Sequence, residues 1–283
     1  MNFKKILILI VIVLLILTFS RNLNKYAVDF IENQKERENG LLIGAEPFEI
    51  NINPETTVLL VHGTSSSPKD FIDLANFLAK NNISSKAMLL PGHGTYPSDL
   101  NKVEYEEWID AINTELSGIN SKNKFLIGYS LGGTLSLKIA ESHELSGIVS
   151  INSPIFLQSK YIPFITILEL VQKYHVASPE NIILATKDER VAYDAMPLNT
   201  ILEIIKVTQA LNLEKVTEPV FIVQSRNDTI VQPRSAEFIY DSISSKYKKI
   251  EWLELSSHIN LNKEEQELMF NEILLFIKEN SKP

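Results

Sequence analysis

Gly128-Tyr129-Ser130-Leu131-Gly132-Gly133 follows directly on the apolar run Lys124-Phe125-Leu126-Ile127 and opens the stretch Leu131 to Ala140. The first run reads as a buried strand, the second as a helix. A serine held between a strand end and a helix start is forced into a sharp, strained turn, and its hydroxyl projects from the sheet edge. Glycines two residues to either side let helix and strand approach where a Cβ would collide. The helix aims its N-terminal partial positive charge at that hydroxyl and at any oxyanion formed there. With 10 glycines in 283 residues, chance supplies a G-x-S-x-G pattern only rarely. The strand-turn-helix context makes Ser130 a candidate nucleophile.

A serine hydroxyl is a poor nucleophile at neutral pH; it needs a histidine to take its proton and a carboxylate to orient the imidazole. Downstream, Pro219-Val220-Phe221-Ile222-Val223-Gln224 reads as a strand ending in Ser225-Arg226-Asn227-Asp228. An aspartate leaving the carboxyl end of a strand sits where open α/β sheets place their ligand groups. Ile250 to Leu255 alternates as another strand and runs into Ser256-Ser257-His258. A helix follows, with Asn262 as its cap and Glu265 three residues on completing a capping box. Of the five histidines, only His258 follows both the serine and a strand-end aspartate. His143 and His175 read as solvated. Asp188 and Asp194 also lie between Ser130 and His258, but neither follows a convincing strand. Asp228 and His258 are therefore the expected orienter and base.

Two backbone N–H donors must face the charge that develops during acyl transfer. One comes from the residue after the nucleophile, Leu131; the other comes from a loop after an earlier strand. Thr57-Val58-Leu59-Leu60-Val61 is such a strand, and His62-Gly63-Thr64-Ser65-Ser66-Ser67-Pro68 follows it. Thr64 is placed to offer the second N–H. Ser67 is expected to cap a helix with Pro68 in its first position and Asp70 three residues on.

From about residue 47 to 277 the chain resembles the small bacterial carboxylesterases and monoacylglycerol lipases of the α/β-hydrolase superfamily. The likeness rests on His62-Gly63, Leu90-Pro91-Gly92-His93-Gly94, Gly128 to Gly133, Asn227-Asp228 and His258. It implies Ser130, Asp228 and His258 as a triad, Thr64 and Leu131 as oxyanion donors, an acyl ester substrate and no cofactor. The loop at His93 is a turn signature of that family rather than a metal site, since two lone histidines without cysteine make poor zinc ligands. Ser257 and Thr64 stand where the family usually carries a glycine and a bulky apolar residue, a departure that bears on the acyl pocket. Thioesterases and acyltransferases share the same triad chemistry. A catalytically silent hydrolase-like binding module is a third reading, which a full triad argues against.

Composition narrows the classes further. With 45% hydrophobic residues the chain can bury one substantial core. A formal net charge of −8, and no basic cluster interleaved with aromatics, argue against nucleic acid. The absence of cysteine excludes disulfides, thiol chemistry and a lipidated N-terminal cysteine.

Lys4-Lys5 precede fourteen residues, Ile6 to Phe19, in which only Thr18 carries a polar atom. Residues 1–25 are expected to be an anchor or signal segment, with 26–46 a polar linker or membrane-proximal helix. The weak cleavage signal at Thr18-Phe19-Ser20 favours an uncleaved anchor. The catalytic domain would then lie outside the cytoplasm, or be exported if the segment is cut.

Beyond residue 47, strands are expected near 57–61, 86–90, 124–128, 146–151, 219–224 and 249–255. Helices are expected near 69–81, 105–119, 131–142, 233–244 and 263–279. That alternation argues a mostly parallel sheet with helices on both faces. Residues 155–217 are too many for an ordinary crossover and read as a helical cap inserted over the site. Its apolar residues, Ile162 and Phe164 among them, suit an acyl chain better than a charged peptide.

Overall fold

Residues 3–282 are described by the computed structural model; Met1 and Asn2 of the expected N-terminal segment, and Pro283 of the expected hydrolase domain, lie outside the described residues. In chain order, α1 (Phe3–Glu32) leads into β1 (Arg37–Glu38) and β2 (Leu41–Leu42). Then come β3 (Phe48–Ile50), β4 (Thr56–Val61), α2 (Ile72–Lys80), β5 (Ser84–Met88), α3 (Pro97–Leu100) and α4 (Tyr105–Gly118). They are followed by β6 (Asn123–Tyr129), α5 (Leu131–Ala140), β7 (Gly147–Ile151), α6 (Ile165–Val171), β8 (Tyr174–Val176) and α7 (Pro179–Lys187). The chain closes with β9 (Ala195–Pro197), α8 (Leu198–Gln209), β10 (Val220–Ser225), α9 (Arg234–Ser242), β11 (Lys248–Leu253) and α10 (Lys263–Asn280).

Every residue of β4 is buried, because the strand lies inside a seven-stranded sheet ordered β11-β10-β7-β6-β4-β5-β3. Only β3 runs antiparallel to its neighbour. Successive side chains of a strand face opposite sides. Leu59 and Val61 accordingly meet Trp108, Ile112, Leu135 and Ile139 from α4 and α5. Val58 and Leu60 meet Leu74 and Leu78 of α2, and Met269 and Ile273 of α10. Helices on both faces explain why the central strands read as continuous apolar runs. Two edge features differ from expectation. β5 begins at Ser84, earlier than the apolar run suggests, because the Ser84 hydroxyl accepts from the N–H groups of Ile52 and Asn53 at 2.9 and 2.8 Å. β3 is three residues long, too short for alternation to reveal it.

Between β7 and β10 the insertion divides into two parts. A short 3-10 turn (Ile162–Phe164), α6, the antiparallel β8–β9 pair and α7 stand away from the sheet. Helix α8 returns to the core, where Ile204 and Val207 join the cluster formed with α4 and α5. Of the stretch expected as a cap, 155–217, the part that stands away from the sheet thus ends near β9, while α8 packs on the core.

Helix α1 is long and apolar enough to cross a membrane by length and composition, with a mean hydropathy of 2.6 over a window of which none is buried. Its last turns dock onto the cap. The Asn24 side chain accepts from the N–H groups of Lys173 and Tyr174 and donates to the Tyr174 carbonyl. Val28 packs with Tyr174 and Ala195. The Glu32 carboxylate accepts from Asp194 N–H at 2.8 Å. Residues 26–46, expected as a linker, thus carry packing contacts and the β1–β2 hairpin.

Candidate active site

Parallel strands bring their carboxyl ends to one edge of the sheet, so the loops after β4, β6, β10 and β11 converge there. Ser130 occupies the turn between β6 and α5 with φ +53° and ψ −122°, a conformation rarely adopted by a side-chain-bearing residue. A Cβ on Gly128 would fall 2.2 Å from the Gly132 carbonyl oxygen, and one on Gly132 would fall 1.9 Å from that of Val61. Glycine at both positions is what allows so tight a turn. Leu131 is the first residue of α5, so its N–H has no carbonyl one turn earlier within the helix to pair with.

His258 Nε2 stands 3.0 Å from Ser130 Oγ, and His258 Nδ1 stands 2.6 Å from Asp228 Oδ2. The carboxylate fixes the tautomer: Nδ1 carries the hydrogen, and the Nε2 lone pair faces the serine hydroxyl. Asp228 is 3% exposed and His258 7%. Burial of a carboxylate requires donors. Asp228 Oδ1 accepts from the N–H groups of Ile230 and Val231, both at 2.8 Å, and Oδ2 also accepts from Gln224 Nε2 at 3.3 Å. Asp194 pairs instead with Lys35 at 3.1 Å, and Asp188 caps the end of α7.

Several supporting residues escape a motif reading. Asn152 accepts from Ser225 N–H at 2.7 Å, and the Ser225 hydroxyl donates to the Ser257 carbonyl, tying β10 to the histidine loop. Glu265 accepts from the N–H groups of Glu254, Leu255 and Ser256, so it braces the approach to His258 rather than closing a capping box on α10. Asn262 caps that helix alone, accepting from Glu264 and Glu265 N–H. Ser67 forms no side-chain cap either. Its expected partner Asp70 binds Ser66 and Arg190.

His62 and His93 lie fully buried under the Thr64 loop with their rings 4.8 Å apart. Leu90 N–H donates to His62 Nε2 at 3.0 Å, and His62 Nδ1–H donates to the Gly63 carbonyl at 2.8 Å. Burial pushes the His62 pKa down to about 4 and that of His93 well below its ordinary value, with the neighbouring His62 adding to the second effect. Both are neutral structural imidazoles. Among the described residues, no group of three or more His, Cys, Asp or Glu is placed to hold a metal ion.

Ser130, His258 and Thr64 line a cavity of about 1120 Å³ that extends under the cap. Leu157, Ile162, Ile165, Leu168, Met196, Leu198 and Ile201 form much of its apolar wall. Ile162, expected to meet substrate, lies in this wall. Phe164 does not: it is 55% exposed and lies outside the cavity, because the 3-10 turn that sends Ile162 and Ile165 inward carries Phe164 to the outer side. The chemistry available is proton transfer from a hydroxyl beside an apolar channel.

The fold is shared with known proteins. The carboxylesterase of Bacillus subtilis (strain 168) is 27% identical over 236 residues, covering 79% of this chain and 93% of that protein. The thermostable monoacylglycerol lipase of Bacillus sp. (strain H-257) is 30% identical over 225 residues, covering 77% and 88% respectively. A solved structure from the metagenome-derived lipolytic enzymes LipS and LipT superposes with a TM-score of 0.75 at 26% identity, covering 84% of this chain and 99% of that one. The family described as serine aminopeptidase, S33, matches residues 52–265, a span that holds the elbow and every strand from β4 to β11. By that match the chain belongs to the serine aminopeptidase S33 family of α/β-hydrolases.

Proposed function

We propose that this chain is a serine hydrolase of lipophilic carboxylic esters, a carboxylesterase or monoacylglycerol lipase, working through an acyl-enzyme on Ser130. The observation that carries the reading is the unbroken line from Asp228 through His258 to the Ser130 hydroxyl at the floor of an apolar cavity. Ser130 Oγ attacks the ester carbonyl carbon while its proton passes to His258 Nε2. The carbonyl oxygen takes the negative charge and accepts from the N–H groups of Thr64 and Leu131. Collapse breaks the bond to the alcohol, which leaves with the proton from His258. Water then repeats the sequence on the acyl-enzyme, and the acid is released.

An aminopeptidase would need a free carboxylate near the serine to hold the substrate's ammonium group. Of the carboxylates along this cavity, Glu36 is exposed and Asp194 is paired with Lys35. An acyl chain suits the remaining surface better. Helix α1 supports a second element of the reading: the protein is anchored in a membrane through Ile6 to Phe19, with the catalytic domain outside the cytoplasm, or exported if that segment is cut.

An alkyl fluorophosphonate tests the assignment, because it reacts with an activated serine. It should label Ser130 alone, and Ser130→Ala should lower ester turnover by about 10⁴- to 10⁶-fold with the fold retained. Labelling at another serine, or turnover that survives the substitution, would overturn it.

A further inference from the structure

From its own side, the loop that offers the Thr64 N–H is held mainly at its start, where the Gly63 carbonyl accepts from His62 Nδ1–H at 2.8 Å and from Ser66 N–H at 3.3 Å. Ser65 sits in the left-handed region at φ +60°, which costs free energy unless the surroundings hold it there. The surroundings come from the cap. Arg190, between α7 and β9, donates from Nε to Asp70 Oδ1 at 3.1 Å and from Nη2 to Asp70 Oδ2 at 2.5 Å. Its Nη2 also donates to Ser66 Oγ at 3.3 Å, and Ser66 in turn donates to Asp70. Three residues on, Tyr193 N–H donates to the Ser65 carbonyl at 2.8 Å. Both partners of the ion pair are largely buried, 18% and 12% exposed.

We propose that Arg190 is a positioning residue: from the cap it clamps Asp70 and Ser66, and so holds the oxyanion donor Thr64 at the angle the reaction requires. The inference rests on the reading of Ser130 as nucleophile and Thr64 as donor. A planar fork matched to a carboxylate fixes orientation as well as distance, which a lysine cannot do. Oxyanion donors act only when pre-placed, and a misplacement of about 1 Å can cost about 10²-fold. Arg190 does not serve as an anion receptor for substrate, because Asp70 already occupies its charge. The clamp also joins cap to core, so the donor loop is complete only while the cap segment is seated. Along the cavity wall, Lys35 holds the same segment through the Ala192 carbonyl at 2.8 Å and through Asp194.

The test compares Arg190→Gln, Arg190→Lys, Asp70→Asn and the Arg190→Gln/Asp70→Asn double variant with the full-length protein. Readouts are kcat and KM on a butyrate ester, and inhibition by butylboronic acid, whose tetrahedral adduct on serine presents an oxygen to the donors. Arg190→Gln should lower kcat by about 10- to 100-fold while KM stays within about threefold, and inhibition by the boronic acid should weaken in parallel. Asp70→Asn should match it, the double variant should be no worse than either single one, and lysine should restore only part of the loss. If the glutamine variant fails to fold, Arg190→Lys and Asp70→Asn carry the same comparison. Unchanged kcat in a folded variant, or a loss confined to KM with boronic acid inhibition intact, would overturn the proposal. Fluorophosphonate labelling of Ser130 in the unaltered enzyme separates that outcome from failure of the nucleophile assignment itself.

Discussion

Tyr129 donates its phenolic hydrogen bond to the main-chain carbonyl of His258, so the residue before Ser130 braces the residue that faces Ser130. The two rings lie 5.9 Å apart. Burial pushes the Tyr129 pKa up to about 12, which keeps the phenol a donor at every working pH. Tyr129→Phe keeps the ring and removes the bond. Stability should fall by about 1 kcal/mol, and kcat by about 3- to 10-fold with KM little changed. Thermal melts and steady-state kinetics check both parts, and an unaltered kcat would make the bond incidental to the site.

The buried histidines under the Thr64 loop set a pH dependence of stability. The ordinary pKa of histidine is 6.5, and that of folded His62 is about 4. Protons therefore bind the unfolded chain first as pH falls. The folded state keeps its full advantage above about 6.5 and loses it across the window from 6.5 to 4, at up to about 1.4 kcal/mol per pH unit for each such histidine. His93 is shifted in the same direction and should add to the slope. Urea unfolding between about pH 7.5 and 5 should show this decline, and His62→Gln should flatten it. An equal slope in the variant would mean that other groups set the acid limb.

Cap side chains should divide by the face they present. Ile162 lines the cavity and Phe164 faces out. Ile162→Asp places a charge where the acyl chain runs, so kcat/KM on long acyl esters should fall by about 10-fold or more, with acetate or butyrate esters affected far less. Phe164→Asp should leave the ratio of long- to short-chain activity of the detergent-solubilised enzyme near that of the parent. Equal losses across chain lengths for Ile162→Asp would show that the residue only packs the fold.

Which features were legible in the sequence follows from how local their causes are. Strands such as β4 and β10 show as apolar runs because helices cover both faces. Ser130, Asp228 and His258 stand out because each leaves the carboxyl end of a parallel strand, and a residue in that position needs no distant partner to be noticed. Arg190 gives no such signal. It is an ordinary cation in a polar stretch, and its partner Asp70 lies 120 residues away. The same distance effect misleads the reading of Ser67 and Asp70 as a helix cap, since Asp70 is drawn off by Arg190. Asn24 falls at the end of the expected anchor segment and Glu32 in the expected linker, yet their partners lie 149 to 162 residues downstream. Phe164 fails for a smaller reason: a 3-10 turn and an α-helix distribute the same apolar residues over different faces.

The docking of α1 on the cap separates the membrane role proposed for its first part from the structural role of its last turns. None of residues 6–19 is buried, whereas Asn24, Val28 and Glu32 hold β8 and the segment before β9. Removing residues 1–20 should therefore release a soluble protein whose kcat on short water-soluble esters is nearly that of the full chain. Removing residues 1–32 should do more harm. It uncovers Tyr174 and Ala195, and it leaves the N–H groups of Lys173, Tyr174 and Asp194 without their side-chain acceptors. Uncovered apolar surface and lost bonds of this kind cost about 1 to 3 kcal/mol together, concentrated in the cap. Faster proteolysis within residues 160–195, and a lower kcat/KM for long acyl esters than for short ones, are the expected signatures. Identical kinetics and proteolysis for the two truncations would show that the docked turns of α1 contribute nothing to the cap. Recovery of the full-length protein wholly in a soluble fraction would remove the anchor from the account.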